Sequence, residues 1–469
     1  MVIKMFELQG KYTKALVTID NVEAECISQI MGFLNHPLYE GCNIVIQPDT
    51  HGGKGSVIGF TCTLSGKGVC SNVVGVDLSC GINCWEIDEV NLMDRLDSNV
   101  RKVVPLGATL HKSALFHMEK DYPWRDVSKD VWHFVAMYNK KFGTDYIAPD
   151  INYGWYKSLA EKLLNKGQKL DDFLGNVDRS VGTLGGGNHF IEVDIDKRGQ
   201  HYLVIHSGSR NLGKRVAEYF QKLAEGQEHN AGYNKDLAYL KGQDAVDYFV
   251  AMVFMKKFAS LNRDTMGELI SKHCDLHIRN KIETTHNFID DKDFVIRKGA
   301  IRSYKGERMI IPFNMRDGSW IVEGKSNEEW NNSAPHGAGR VMSRNQAKRT
   351  LKLEDFEEQM KGIYTTSVCR ATLDEAPDTY KPAAIIQDAI KDTATIIHNL
   401  KPVYNLKSSE EGVFGKKKKF ATSGNTPDDV WARVKETLPQ ELITKNTEQE
   451  YRAEFERSPR DFCEKYREE

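Results

Sequence analysis

Glycine-rich joints interrupt this chain at nearly every change of pattern, and they constrain its fold more than any other feature. They separate short β-branched runs, such as NIVIQP, HYLVIHSG and DFVIRKG, from stretches with helical spacing of apolar residues. The helical stretches are AEKLLNKGQKLDDFL, AVDYFVAMVFMKKFASLNRDTMGELISKH and AAIIQDAIKDTATIIHNL. Runs of the first kind predict strands, and a period near 3.6 predicts helices. The two kinds do not alternate in a strand–helix–strand rhythm. That favours an α+β fold, central sheets flanked by helices, over a doubly wound parallel sheet. With 469 residues the chain can build a sizeable core. Candidate polar residues cluster in Gly/Ser/Asn loops at strand ends, where a rigid scaffold usually holds its chemistry.

Composition narrows the function classes. The formal net charge is -2 and the pI about 6.7, so any nucleic-acid contact must come from local basic clusters. Nine cysteines are scattered without a CxxC pair, which predicts reduced thiols and no disulfide framework. The start, MVIKMFELQGKYTKA, has no apolar signal core, and no run approaches a membrane span. A soluble, cytoplasmic protein is expected.

The segment SAPHGAGRVMSR places His336 beside Gly337, Gly339 and Arg340. Glycines let a phosphate approach the backbone, and guanidinium groups suit its oxygens. A histidine there can be a nucleophile, a metal ligand, a general acid/base or simply part of a tight surface turn. Other segments add Asp77 and Cys80 in GVDLSCGINC, Asn188, His189 and Glu192 in GTLGGGNHFIEV, His206 and Arg210 in HSGSRNLG, and His286 in ETTHNF. A lone histidine is usually a satisfied or exposed residue, and His36, His117 and His229 are read that way. His189, His206 and His286 differ because glycine, asparagine or serine crowds each of them. Five N/O/S donors exceed the needs of one tetrahedral zinc, and two ions sharing a ligand fit better. By donor type alone the set favours zinc.

In this order the motifs resemble the RtcB family of GTP-dependent RNA ligases, from QPDTHGGKG near residue 50 to Lys407. The resemblance implies one large catalytic domain over residues 1–407. It implies two Mn ions, with Cys80 touching both, Asp77 and His189 completing one, and His206 and His286 the other. It makes His336 the nucleophile toward GTP. It assigns the nucleotide to Asn188, Glu192, Ser319, Ser333, Tyr380 and Lys407, with Glu192 reading guanine and Lys407 donating to the guanine carbonyl. It assigns RNA to Arg210, Arg340 and Arg344; Lys348 and Arg349 are as readily a solvated helix face. RNA, as tRNA halves or cleaved ends, is the implied substrate, and an archease-like activator is a further implied partner. Rival readings are a two-metal phosphoesterase acting on RNA ends and a non-ligating RNA-end binder.

Two departures from the family pattern stand out. Pro312-Phe313-Asn314-Met315-Arg316 replaces a Pro-Gly-Ser-Met-Gly turn, so this loop is expected to take another shape. Ala334-Pro335 precedes His336 where Cys-Ser is more usual. Residues 408–469 have no counterpart in the family. They read as a linker with a basic run, Lys416 to Lys419, and a charged helical extension.

Overall fold

The structure, a computed structural model, describes residues 5–90 and 93–409. Two sheets dominate. The first has six strands in the order Phe6–Gln9, Lys14–Val17, Ile44–His51, Ile58–Thr63, Val295–Lys298 and Asn287–Ile289. The second has eight. Seven run in the order Arg308–Pro312, Ser319–Gly324, Ala394–Lys407, Phe190–Ile195, His201–Ser207, Gly81–Ile87 and Arg279–Thr285, and Tyr364–Thr365 pairs alongside Ala394–Lys407. A separate ladder pairs Ala300–Arg302 with Ser333–Pro335. Nearly all pairs are antiparallel, which is the α+β class expected from the missing strand–helix–strand rhythm.

The chain crosses repeatedly between the sheets. The first draws on residues 6–63 and 287–298, the second on residues 81–87, 190–207, 279–285 and 308–407. No cut between them would leave either whole, so the described residues form a single domain. The second sheet curls until its outermost strands meet, the Ile310 amide donating to Thr284 Oγ1 at 3.1 Å.

Alternation along Phe190–Ile195 sends Ile191 and Val193 to the core behind the sheet, leaving Phe190, Glu192 and Asp194 on the inner face. The 33-residue helix Gly242–Cys274 serves both cores. Its first half, Ala245 to Phe258, packs under the first sheet, and Met266 and Ile270 pack behind the second. Gly267 lets it close on Trp85; a Cβ there would lie 2.9 Å from the indole.

Two helical expectations need correction. AEKLLNKGQKLDDFL is two helices, Tyr153–Lys162 and Leu170–Ser180, broken where Gly167 turns at φ +80°. In AAIIQDAIKDTATIIHNL the helix stops at Ala389, and the rest enters the strand Ala394–Lys407. Thr395, Ile396 and Ile397 are β-branched, and pairing with Ser319–Gly324 outweighs the apparent helical period. The eight cysteines among the described residues are all free. No helix among these residues is long and apolar enough to cross a membrane. The Lys416–Lys419 run and nearly all of the 408–469 extension lie outside the described residues.

Candidate active site

Strand register builds the site. Gly81 pairs with both Ser207 and Thr285, and Phe190 pairs with both His206 and Lys407. Cys80, His189, His206, His286 and Lys407 therefore line up along one end of the second sheet. Cys80, His189, His206 and His286 are all buried. Asp77 comes from the loop just upstream. Ser79, between Asp77 and Cys80, takes φ +57°, an uncommon conformation for serine, held by its amide donating to Asn287 O at 2.7 Å.

The donor atoms converge in two groups that share Cys80: Asp77, Cys80 and His189, and Cys80, His206 and His286. His189 Nε2 lies 3.0 Å from Asp77 Oδ2 and 3.5 Å from Cys80 Sγ. His206 Nε2 lies 3.2 Å from Cys80 Sγ and 3.4 Å from His286 Nε2. The far nitrogens are held by carbonyls, His189 Nδ1 by Leu184 O at 3.0 Å and His206 Nδ1 by Asn188 O at 3.2 Å. That selects the tautomer in which Nε2 offers its lone pair inward.

Burial drives His206 and His286 well below the usual imidazole range, so both are neutral and able to bind a metal. Burial opposes ionisation of Asp77, but His189 holds its carboxyl down at about 2. Burial and the nearby Asp77 push the Cys80 thiol up, a cost that a bound cation would reverse. A thiolate, three imidazoles and a carboxylate fit a pair of divalent transition-metal ions with one bridging ligand. Gly208 is required here, since a Cβ would sit 2.1 Å from Asp77 Oδ1.

His336 approaches from the other side. It follows the short strand Ser333–Pro335, and the Asp49 that binds it lies on the strand Ile44–His51 of the first sheet. Asp49 Oδ2 lies 2.6 Å from His336 Nδ1 and accepts from the His336 amide at 3.1 Å. The His336 ring centroid is 4.9 Å from that of His286. Gly339, at φ +74°, lets the HGAGR turn press against this strand; a Cβ would meet Asp49 O at 2.2 Å. The site thus straddles the two sheets.

A cavity of about 670 Å³ joins these groups, lined among others by Asp77, Cys80, His206, His286, His336, Asn188, Glu192, Arg340, Arg344, Tyr380 and Lys407. Glu192 is buried and accepts a short hydrogen bond from Asn405 Nδ2. Burial lifts its carboxyl to about 7, with Lys407 pulling the other way. Lys407 Nζ donates to Glu375 Oε2 at 2.8 Å and to Asn188 O at 3.3 Å. Glu375 also accepts from the Tyr380 hydroxyl at 2.8 Å and from Arg344 at 2.5 Å. Burial opposes its ionisation, but Lys407 and Arg344 hold its carboxyl at about 2.

Not every expected residue reaches the cavity. The Ser333 hydroxyl accepts from Arg297 Nε at 2.9 Å and donates to Asn331 O at 2.8 Å, in the interior. Ser319 is fully buried on its strand and does not line the cavity either. Arg210 lines a neighbouring cavity of about 700 Å³, donating to Thr183 Oγ1 at 3.0 Å and Gly107 O at 2.8 Å. Lys348 lines that second cavity too, and Arg344 and Glu375 line both. The Phe313–Arg316 loop has its own shape. Phe313 packs on Trp320 with ring centroids 4.3 Å apart, Met315 is buried, and Arg316 turns out to pair with Asp317 at 2.9 Å. Phe313 and Asn314 wall the cavity, at the two positions where the family pattern has glycine and serine.

Asp49 and Glu375 are the residues that sequence reasoning missed. Both lie in stretches with visible motifs, QPDTHGGKG and DEAPDTYKPAA, but nothing in their spacing points to His336 or Lys407.

A family model described as tRNA-splicing ligase RtcB matches residues 29–408. The chain is 31% identical over 418 residues to RNA-splicing ligase RtcB1 of one Escherichia coli strain, covering 82% of this chain and 95% of that protein. It is 30% identical over 418 residues to RNA-splicing ligase RtcB of Escherichia coli K12, with the same coverage. It is 26% identical over 432 residues to tRNA-splicing ligase RtcB of Nanoarchaeum equitans, covering 77% of this chain and 85% of the archaeal one.

Proposed function

Because the chain belongs to the RtcB family and is an RNA ligase, we propose that it joins a 2′,3′-cyclic phosphate or 3′-phosphate RNA end to a 5′-hydroxyl end, using GTP, in tRNA splicing or RNA repair. The observation that carries this reading is a single cavity in which His336 faces two donor groups sharing Cys80. Asp77, Cys80 and His189 would hold one Mn ion and Cys80, His206 and His286 the other, supplying charge neutralisation at the reacting phosphates.

His336 is the nucleophile. Asp49 holds Nδ1, leaving the Nε2 lone pair free to attack the α-phosphorus of GTP. An N–P bond forms, the bond to pyrophosphate breaks, and His336 carries GMP. The guanylyl group then passes to an oxygen of the RNA 3′-phosphate and the imidazole is regenerated. A 3′-phosphate is a poor electrophile until such a leaving group is attached. The 5′-hydroxyl attacks the activated phosphorus, the new phosphodiester forms and GMP leaves. A cyclic end is first opened by water to the 3′-phosphate.

Glu192, when ionised, accepts from the guanine ring N–H and amine, a donor pair adenine lacks. Lys407 has three N–H donors, of which Glu375 and Asn188 O take two; the third is free for the guanine carbonyl. Tyr380 and Asn188 line the same cavity. Arg340 and Arg344, which line it, and Arg210 in the neighbouring cavity would hold RNA phosphates.

The test is incubation with α-labelled GTP and Mn, followed by denaturing electrophoresis and mapping of the label. Label is expected on His336 and is expected to vanish in His336→Ala with metal content preserved. Label persisting in that variant would exclude the assignment.

A further inference from the structure

Cys80, His206 and His286 arrive from three strands, and the supports behind them meet at one side chain. Arg263, on the helix Gly242–Cys274, is fully buried. Its Nε donates to Asn83 Oδ1 at 2.7 Å, on the strand that begins beside Cys80. One terminal nitrogen donates to Ser207 O at 3.0 Å and reaches Ser79 O at 3.5 Å; the other donates to Glu283 Oε1 at 2.8 Å. Ser79 precedes Cys80, and Ser207 follows His206. Glu283 sits on the strand that ends beside His286. One rigid guanidinium therefore ties together all three segments that carry the second donor group.

Asn262, its neighbour on the helix, is also fully buried and does the same for the His189 side. Its Oδ1 accepts from the amides of Gly182 at 2.9 Å and Thr183 at 3.1 Å. Its Nδ2 donates to Ser207 Oγ at 3.1 Å and Gly208 O at 3.2 Å. These loops contain Leu184, whose carbonyl fixes His189, and Gly208, which lies against Asp77.

The choice of side chain is informative. A buried cation behind a cation-binding site is electrostatically unfavourable toward the incoming metal, and Glu283 only partly offsets it. An apolar side chain would fill the space without that penalty. What only arginine supplies is a planar fork of donors aimed in several fixed directions.

We infer that Arg263, assisted by Asn262, is a positioning residue that sets the spacing of Cys80, His206 and His286 before any metal arrives, and so governs metal affinity and coordination geometry. The inference rests on the metal reading of these side chains proposed above.

The experiment uses Co²⁺ as the probe on the full-length metal-stripped protein, reading stoichiometry, affinity and the thiolate-to-cobalt charge-transfer band. The wild-type chain is expected to bind two Co²⁺ and show the band; absence of both defeats the metal reading itself. Arg263→Lys keeps the charge but loses the fork, and Co²⁺ affinity should fall about 10–100-fold with a shifted band. Arg297→Lys is the control. Arg297 is likewise fully buried and multiply bonded; it lies over the Phe288 ring, but its guanidinium hydrogen-bonds to Asp290, Asp293, Ser333, Asn331 and Asn332 and to none of the groups that Arg263 joins. It should lose thermal stability yet keep wild-type Co²⁺ affinity and spectrum. Should Arg263→Lys fail to fold, Glu283→Gln leaves the arginine in place and releases one arm of its fork; a shifted band and weaker binding are expected. Wild-type Co²⁺ binding in Arg263→Lys, in Glu283→Gln where the lysine variant does not fold, or equal losses in Arg263→Lys and Arg297→Lys, would overturn the inference.

Discussion

At the scale of single residues, the site pairs groups that come from distant parts of the chain. Asp49 and His336 stand 287 positions apart and meet at 2.6 Å. If Asp49 fixes the tautomer and steadies the imidazole as positive charge builds up, Asp49→Asn should slow guanylylation by about 10²–10⁴-fold. Metal content should stay unchanged, and single-turnover labelling measures the rate. Glu192 gives a pH signature. Burial raises its carboxyl to about 7, so it is neutral below that pH and ionised above it. Only the ionised form accepts from both guanine donors. The preference for GTP over inosine triphosphate, which lacks the exocyclic amine, should therefore grow as pH rises through about 7 and flatten in Glu192→Gln. Competition binding from pH 6 to 8 would show it, and a ratio independent of pH would remove Glu192 from the base pocket. The candidate metal donors were legible because cysteine, aspartate and histidine in glycine-rich loops are unusual. Ser319 and Ser333 were not separable in this way, because a serine reads alike in a cavity wall and in a core. Asp49, Glu375 and Arg263 acquire their roles only from partners far away in sequence.

At the scale of elements, register is the organising device. Antiparallel pairing brings the starts of Gly81–Ile87 and Phe190–Ile195 level with the ends of His201–Ser207, Arg279–Thr285 and Ala394–Lys407. The loops at that end need close backbone approach. Gly208→Ala should force Asp77 aside and weaken metal binding by at least about 10-fold, with little change in far-ultraviolet circular dichroism; a Co²⁺ titration checks it. The strand runs NIVIQP, HYLVIHSG and DFVIRKG were readable because β-branched residues are dense in them. ATIIHNL misled, since an apolar period next to a real helix continues that helix on paper. Only the strands it pairs with decide otherwise.

At the scale of the whole molecule, the α+β class was readable from the absence of a strand–helix–strand rhythm, but the interleaving of the two sheets was not. It depends on pairings such as Val295–Lys298 with Ile58–Thr63, which no local pattern encodes. Every residue assigned to the guanylyl step lies before residue 410. A chain cut after residue 409 is therefore expected to keep label transfer from GTP. End joining should become more salt-sensitive in the full chain than in the cut one if Lys416 to Lys419 touch RNA phosphates. Paired assays across a salt series separate the two effects. Loss of labelling in a folded truncation would put the extension inside the active site.

The proposed nucleophile, His336, leaves a two-stranded ladder and is tied to Asp49 of the first sheet, whereas the candidate metal donors line the end of the second. Such a seam makes the active site a gauge of mechanical register. A slip of about 1 Å between the sheets would misalign His336 with a phosphate held on the far side, and misplacement on that scale costs roughly 10²-fold in rate. Cys80, His189 and His206 are set by the register of the second sheet and would move together. Under hydrostatic pressure or mild urea, this ligase should therefore fall silent while still loaded: the cobalt spectrum intact, the histidine unlabelled, and activity returning on release without any metal being added back.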